Sequence, residues 1–300
     1  MILDAAAVDA VIAIAMREDK PWGDVSSAAF IPESSESQAL LRAREPGVMA
    51  GASVFERAMR WGAEEAVRVQ LRVQDGDAFA AGDVLAEVSG SSRAILGNER
   101  VALNLVQRMC AVSSTTARLV ALVAGTGARV VDTRKTTPGL RLLEKYAVRC
   151  GGGFNHRFSL SDAIMLKDNH LEPLLAEFTR NGSVDLDAAA AEVRSRRRAA
   201  GHTLHLEIEV DRPELIDFAL NAGANTIMLD NFAAADVRAA AAHIGDRAHV
   251  EVSGNITAET IADYAAAGAE VISVGALTHS APAVDLGLDF VTSTPTTPSP

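Results

Sequence analysis

Residues 204–231 read LHLEIEVDRPELIDFALNAGANTIMLDN. Leu204, Leu206, Ile208 and Val210 alternate with His205, Glu207, Glu209 and Asp211, the period of two that a strand requires. Pro213–Ala222 then has the spacing of an amphipathic helix, and Asn225–Leu229 is a second apolar run that stops at Asp230-Asn231. A strand, a helix and another strand in so short a span form the crossover unit of a parallel sheet.

The same alternation extends in both directions. Ala128–Asp132, Ala163–Leu166, Ala248–Val252 and Glu270–Val274 are further strands. Helices are expected at Leu140–Arg149, Leu171–Arg180 with Asp187–Ala200, Ala234–His243 and Ala258–Ala267. Such a pattern builds either a doubly wound sheet or a barrel, and the residues leaving each strand choose between them. These are Asp132-Thr-Arg134-Lys135, Lys167-Asp168-Asn169-His170, Glu209-Val-Asp211, Asp230-Asn231, Ser253-Gly254-Asn255 and Gly275-Ala-Leu-Thr278. Polar groups at every strand end indicate a barrel mouth rather than a single switch point. Six strands, at most seven, make the TIM-like α/β barrel incomplete.

Before residue 100 the grammar differs. Short runs at Ala39–Ala43, Val67–Val73 and Val84–Val88 are separated by turns at Asp75-Gly76 and Gly82-Asp83, with a helix over Gly51–Gly62. A long helical stretch, Arg93–Ala124, follows. The expected division is an N-terminal α+β sandwich over 1–112, joined by 280–291 returning to it, a barrel over 113–279, and a disordered tail, TSTPTTPSP, over 292–300.

Composition narrows the function. The chain has 300 residues, 48% of them hydrophobic, ample for a buried core. With 28 Lys and Arg against 39 Asp and Glu, a net charge of −11, it is repelled by nucleic acid and anionic membranes. The N-terminal helix repeats Val8, Val11, Ile12 and Ala15, but Asp4 and Asp9 interrupt it and no basic start precedes it, which argues against an export signal. No uncharged apolar run approaches the roughly 20 residues of a membrane span. Two cysteines, Cys110 and Cys150, build neither a disulfide framework nor a four-cysteine zinc site, so a reducing cytoplasm is the expected compartment.

Within this acidic chain, Arg134–His170 carries seven Lys and Arg against three acids, a local net of +4. Arg141, Lys145 and Arg149, four residues apart, have the spacing of a solvated helix face. Arg134, Lys135 and Lys167 stand instead at strand ends, where a barrel keeps its chemistry. Only four lysines exist, and two of them are in this trio. Asn155-His156-Arg157 adds a fork-shaped cation and a titratable donor suited to carboxylates. The island therefore points to an anion site.

Glu209 and Asp230, at the same level of consecutive strands, suit Mg²⁺ or sugar hydroxyls, with Glu207 one layer deeper. Ser253, Gly254, Asn255 and Gly275 close the last two strands, where such barrels bind phosphate near helix starts. Other motifs do not develop. Gly151–Gly153 lack the register of a phosphate loop and read as a helix stop and flexible turn. Arg194–Arg198 are cations at a helix end, His202 and His205 lack a third zinc ligand, and Cys150 beside His156 is a weak nucleophile candidate.

Asp132-Thr-Arg-Lys-Thr-Thr-Pro-Gly, Glu144-Lys-Tyr-Ala, Asn155-His-Arg, Lys167-Asp-Asn-His, Glu207-Ile-Glu-Val-Asp, Leu229-Asp-Asn-Phe, Ser253-Gly-Asn-Ile and Val274-Gly-Ala-Leu-Thr together resemble the quinolinate phosphoribosyltransferases, in order. Arg17-Glu-Asp, Gly23-Asp-Val-Ser-Ser, Gly47-Val-Met-Ala-Gly51 and Asn98-Glu-Arg-Val-Ala-Leu-Asn104 extend the resemblance over about residues 5–290. It implies a head-to-tail homodimer that converts quinolinate and phosphoribosyl pyrophosphate, with Mg²⁺, to nicotinate mononucleotide, carbon dioxide and pyrophosphate in NAD biosynthesis. By the same resemblance Arg134, His156, Arg157 and Lys167 grip the quinolinate carboxylates, and Lys135 lies where the substrates meet. Arg100 comes across the dimer interface. Glu209 and Asp230 hold ribose hydroxyls and magnesium, while Ser253, Gly254, Asn255 and Gly275 take the 5-phosphate. Cys110-Ala111-Val112 departs from the family's Ser-Gly-Ile, which bears on helix packing.

Two other readings share parts of this pattern. A molybdenum-transport-associated paralogue or a nicotinate-specific transferase would share the fold, but a monoanionic substrate does not need Arg100, Arg134, Arg157 and Lys167 together. Val73–Val88 looks like a biotinyl or lipoyl carrier hairpin, yet no lysine lies between Lys20 and Lys135 to carry the group.

Overall fold

The computed structural model describes residues 3–201 and 203–291. The tail expected to stay out of the fold, 292–300, and His202 lie outside the described residues. The chain forms two compact units.

One unit comprises Arg118–Lys135 and Gly153–Leu277. Its six strands are Arg129–Val131, Ile164–Leu166, Leu206–Val210, Thr226–Asp230, His249–Ser253 and Val271–Ser273. They pair in the order first, sixth, fifth, fourth, third, second, and every pair is parallel. The first and second strands end the sheet without pairing to each other, so the α/β barrel is incomplete. Beside the first strand Phe154 makes one isolated parallel bridge to Val131, its N–H donating to the Val130 carbonyl at 2.8 Å.

Register explains which side is chemical. Ile208, Ile227 and Val250 are aligned, as are Val210, Leu229, Val252 and Ile272, and all are buried. They form the face toward helices Ile216–Asn221, Ala234–Ile244 and Ile261–Ala266. Each such aliphatic side chain contributes about 1.5–3 kcal/mol by leaving water. With that face committed to helix packing, the alternate residues, among them Glu207, Glu209, Asp230, Glu251 and Ser253, face the other way.

Three helical expectations change. Leu171–Arg180 is instead a helix over Asp168–Ala176 followed by a hairpin, Thr179–Arg180 with Ser183–Val184. The cause is Asn181-Gly182, both at positive φ (49° and 79°), the pair a tight hairpin turn favours. At the other end, Asp168, Asn169 and His170 form the helix's first turn, with the Lys167 N–H donating to His170 Nδ1 at 3.2 Å. The helix expected from Ala258 begins at Ile261, and the one expected from Pro213 opens as a 3₁₀ turn over Pro213–Leu215.

The other unit comprises the described residues up to Ala117, Thr136–Gly152 and the described residues from Thr278. Its antiparallel sheet runs Leu286–Phe290, Glu36–Ala43, Val84–Ser91, Val67–Leu71. Helix Ala5–Asp19 starts where Asp4 accepts from the Ala7 N–H at 3.0 Å and buries Val8, Ile12 and Met16. Helix Arg141–Cys150 also belongs to this unit, whereas the sequence division placed all of 113–279 in the barrel.

Gly151 shows how close that packing is. A Cβ there would sit 2.7 Å from Thr116 Cβ and would also strike the Ser113 carbonyl, so the residue is a close approach between helices, and only Gly152, at φ +82°, is the left-handed stop. Gly151→Ala is expected to cost about 1–3 kcal/mol of stability, read by urea denaturation; an unchanged midpoint would refute the contact. Cys110 is fully buried, its Sγ 3.7 Å from the Ala50 carbonyl, and burial pushes its thiol up to about 12. It packs as a small hydrophobe.

Candidate active site

Arg134, Lys135, His156, Arg157, Lys167 and Ser253 line one cavity of about 300 Å³, with Thr133, Met165, Met228 and Ser273 completing it. Residues far apart in sequence thus bring four cations together in a chain of net charge −11. Burial, and then the neighbouring positive charge of Arg134, lower the Arg157 pKa. Holding two guanidinium groups near each other costs energy that a bound anion recovers.

The 155–157 segment is pinned from both sides. Asp132, fully buried at the end of the first strand, accepts from the His156 N–H at 2.9 Å and from Asn155 Nδ2 at 2.6 Å. The Arg157 N–H donates to His156 Nδ1 at 2.8 Å, and Arg157 Nη1 to the Ala163 carbonyl at 3.3 Å. Asp162 stabilises the following turn, accepting from the Ser159 N–H at 3.0 Å and from Ser159 Oγ at 2.7 Å.

Beneath His156 the interior is polar. Nε2 lies 2.9 Å from Glu207 Oε2 and 3.5 Å from Glu251 Oε1, and Glu251 also accepts from Ser273 Oγ. Both carboxylates are 3% exposed, and Glu207 Oε1 has no hydrogen-bond partner. Burial, and then the charge of Glu207, push the Glu251 carboxyl up to about 7. The sequence places Glu207 one layer deeper than Glu209 and does not single out Glu251 or Ser273, although a glutamate between Val250 and Val252 faces away from the helices by the same alternation.

A second cavity, of about 420 Å³, is lined by Asp168, Glu209, Asp211, Arg212 and Asp230 among others. Lys167, which lines the first cavity, is ion-paired to Glu209, which lines the second, so the two share a wall. Glu209 is raised chiefly by burial, against the pull of Lys167 and with further raising from Asp230 and Asp168. Several carboxylate oxygens facing one space are the donor set a hard divalent cation prefers, so these residues fit Mg²⁺.

At the next strand end Ser253 accepts from the Asn231 N–H at 2.9 Å through its carbonyl. A Cβ at Gly254, where φ is +98°, would lie 2.9 Å from that same Asn231 nitrogen, so glycine is required there. Asn255 Nδ2 reaches Asn231 Oδ1 at 3.4 Å. The loop does not open a helix directly, because the next helix begins at Ile261. Gly275 leads straight into the short helix Ala276–His279. Gly254, Asn255 and Gly275 stand at strand ends but do not line either cavity. Arg100 is exposed on helix Ser92–Leu122, in the other unit. Cys150 is a poor nucleophile, since burial pushes its thiol up to about 12.

Comparison with known proteins agrees with this geometry. Residues 24–110 match the family model for the quinolinate phosphoribosyl transferase N-terminal domain, and 112–289 match that for its C-terminal domain. The chain is 40% identical to the nicotinate-nucleotide pyrophosphorylase [carboxylating] of Mycobacterium leprae, covering 92% of this chain and 94% of that one. It is 39% identical to the probable nicotinate-nucleotide pyrophosphorylase [carboxylating] of Bacillus subtilis, covering 92% and 91%. The crystal structure of NadC from Streptococcus pyogenes superposes with a TM-score of 0.87 at 39% identity, over 97% of this chain and all of the other. Two family models spanning both units, over a cavity built to hold anions, place this chain in the quinolinate phosphoribosyltransferase family.

Proposed function

We propose that the protein transfers the phosphoribosyl group of phosphoribosyl pyrophosphate to quinolinate, giving nicotinate mononucleotide, carbon dioxide and pyrophosphate. The observation that carries this reading is the cavity where Arg134, Lys135, Arg157 and Lys167 converge. Quinolinate is a dianion, and two carboxylates answer the paired guanidinium groups as a single one does not. The pyridine nitrogen attacks C1 of the ribose, the C1–O bond breaks, and its electron pair leaves with pyrophosphate. Glu209 and Asp230, beside the anion cavity, face positive charge developing on the sugar. The ring nitrogen, now cationic, stabilises the pair left on C2 when the 2-carboxylate departs as carbon dioxide, and a proton completes the product.

Glu209 and Asp230 would hold Mg²⁺, which supplies charge neutralisation for the leaving pyrophosphate. Lys167, paired to Glu209, couples the anion cavity to that carboxylate-lined space. Arg134, Arg157 and Lys167 take the carboxylates, with His156 in the cavity wall and Lys135 at the substrates' junction. Ser253, Gly254, Asn255 and Gly275 take the 5-phosphate.

A homodimer completes the site with Arg100 of the partner copy. Exposed apolar side chains of the N-terminal unit support association: Trp22 is 92% exposed and Phe30 85%. Among the described residues no helix is both long and apolar enough to cross a membrane.

The test is turnover with phosphoribosyl pyrophosphate and Mg²⁺, offering quinolinate or nicotinate. Quinolinate is expected to be preferred by at least about 100-fold in kcat/KM, the worth of one lost charge-assisted contact at about 1.5–3 kcal/mol plus the unpaired cation left behind. Equal use of nicotinate would overturn the assignment.

A further inference from the structure

His156 has both ring nitrogens engaged within the protein. Nδ1 accepts from the Arg157 N–H at 2.8 Å, so the proton of the neutral ring is on Nε2, which faces Glu207 at 2.9 Å and Glu251 at 3.5 Å. A buried carboxylate pair is costly to maintain, and an apolar plug is what a barrel interior ordinarily contains. Here Glu207 comes from the third strand, Glu251 from the fifth, and Ser273, from the sixth, holds Glu251. Two strands therefore meet at one imidazole, and a third holds one of the two carboxylates. Above it, the nitrogen that accepts from Arg157 fixes the backbone of the residue whose guanidinium shares the cavity with Arg134.

We propose that Glu207 and Glu251 are positioning residues for substrate recognition: they fix His156 as the Nε2–H tautomer and, through its Nδ1, set the Arg157 backbone so that its guanidinium meets the substrate's carboxylates. The proposal rests on the functional reading above for the identity of the anion, but the histidine geometry is independent of it. A carboxylate pair acting this way affects quinolinate and leaves phosphoribosyl pyrophosphate untouched, a selectivity that a general packing role does not produce.

The experiment has two arms. In ¹⁵N-histidine-labelled full-length protein, with His156 assigned by comparison with His156→Gln, the wild type is expected to show the neutral Nε2–H tautomer, and Glu207→Leu to lose it. An Nδ1–H tautomer or an imidazolium at His156 in the wild type overturns the proposal. In steady-state kinetics, Glu207→Leu is expected to raise the quinolinate KM about 10-fold or more while the phosphoribosyl pyrophosphate KM stays within about twofold, and Glu207→Gln, which keeps an acceptor, restores most of the loss. Glu207→Leu/His156→Ala should be no worse than His156→Ala alone, because one residue acts through the other. Equal damage to both KM values, or additive effects in the double variant, overturns it. Should Glu207→Leu not fold, Ser273→Ala, which releases Glu251, is expected to give the same KM split at about threefold, and its absence counts against the proposal. If the wild type does not use quinolinate, the functional reading fails while the tautomer arm still decides the positioning claim.

Discussion

Arg157→Ala and Lys135→Ala are each expected to reduce kcat/KM for quinolinate by about 10³-fold, with far-ultraviolet circular dichroism and thermal midpoint near those of the wild type. Arg157 carries the larger binding share. Its guanidinium lines the anion cavity, and burial together with Arg134 already lowers its pKa, so the free protein holds it at a cost that bound substrate relieves. Removing it leaves a carboxylate facing an emptied wall and should appear chiefly in KM. Lys135, which lines the same cavity and which we propose for the substrates' junction, should appear chiefly in kcat, because a charge there matters most as the bond changes hands. The fold should survive both changes, since Asp132 holds the His156 N–H and the Asn155 side chain, and His156 Nδ1 holds the Arg157 N–H, without help from the guanidinium, whose hydrogen bond to the Ala163 carbonyl is what is lost. Wild-type rates from both variants would refute the site.

The largest expected effect on stability belongs to Glu144. It is fully buried in helix Arg141–Cys150, where Oε1 accepts from Arg108 Nε at 3.0 Å, from Arg108 Nη2 at 2.8 Å and from Thr137 Oγ1 at 2.7 Å, while Oε2 accepts from the Thr137 N–H at 3.1 Å. Glu144→Ala deletes all four acceptor contacts and strands the Arg108 charge, only a quarter of whose side chain is exposed. Breaking one side of a buried ion pair costs about 3–5 kcal/mol, mostly from the charge left behind. Pairing the change with Arg108→Leu should therefore recover part of the loss, since an apolar neighbour no longer has a partner to miss. Equilibrium urea unfolding of the wild type and the three variants decides this: a loss below about 1 kcal/mol for Glu144→Ala would show that the network contributes little.

Much of the barrel was legible because parallel strands buried against helices leave a simple trace. The run Leu206–Val210 and its neighbours end in polar residues, and the structure brings Arg134, Lys135, Arg157 and Lys167 to one cavity and Glu209 and Asp230 to the next. What stayed hidden depended on neighbours across the sheet. Glu251 gains its meaning from Glu207 and Ser273, which strand register alone brings together. Helix Arg141–Cys150 follows the first strand and its basic spacing reads as a solvated face, but Lys145 is fully buried, and Gly151 leaves no room beside Thr116. The hairpin at Asn181-Gly182 was local and readable, and was obscured by the apolar run before it.

The unsewn seam between the first and second barrel strands has an evolutionary consequence. A sheet residue cannot be inserted or deleted without turning its successors inside out, so closed walls resist editing. Between Val131 and Ile164 the sheet imposes a single backbone bridge, at Phe154, and the stretch beyond it that carries His156 and Arg157 is held by side-chain contacts such as those to Asp132 rather than by strand register. Here the recognition element can lengthen, shorten or exchange its charges while every strand keeps its partner. Divergence toward acids of other shapes has its least obstructed route through this gap.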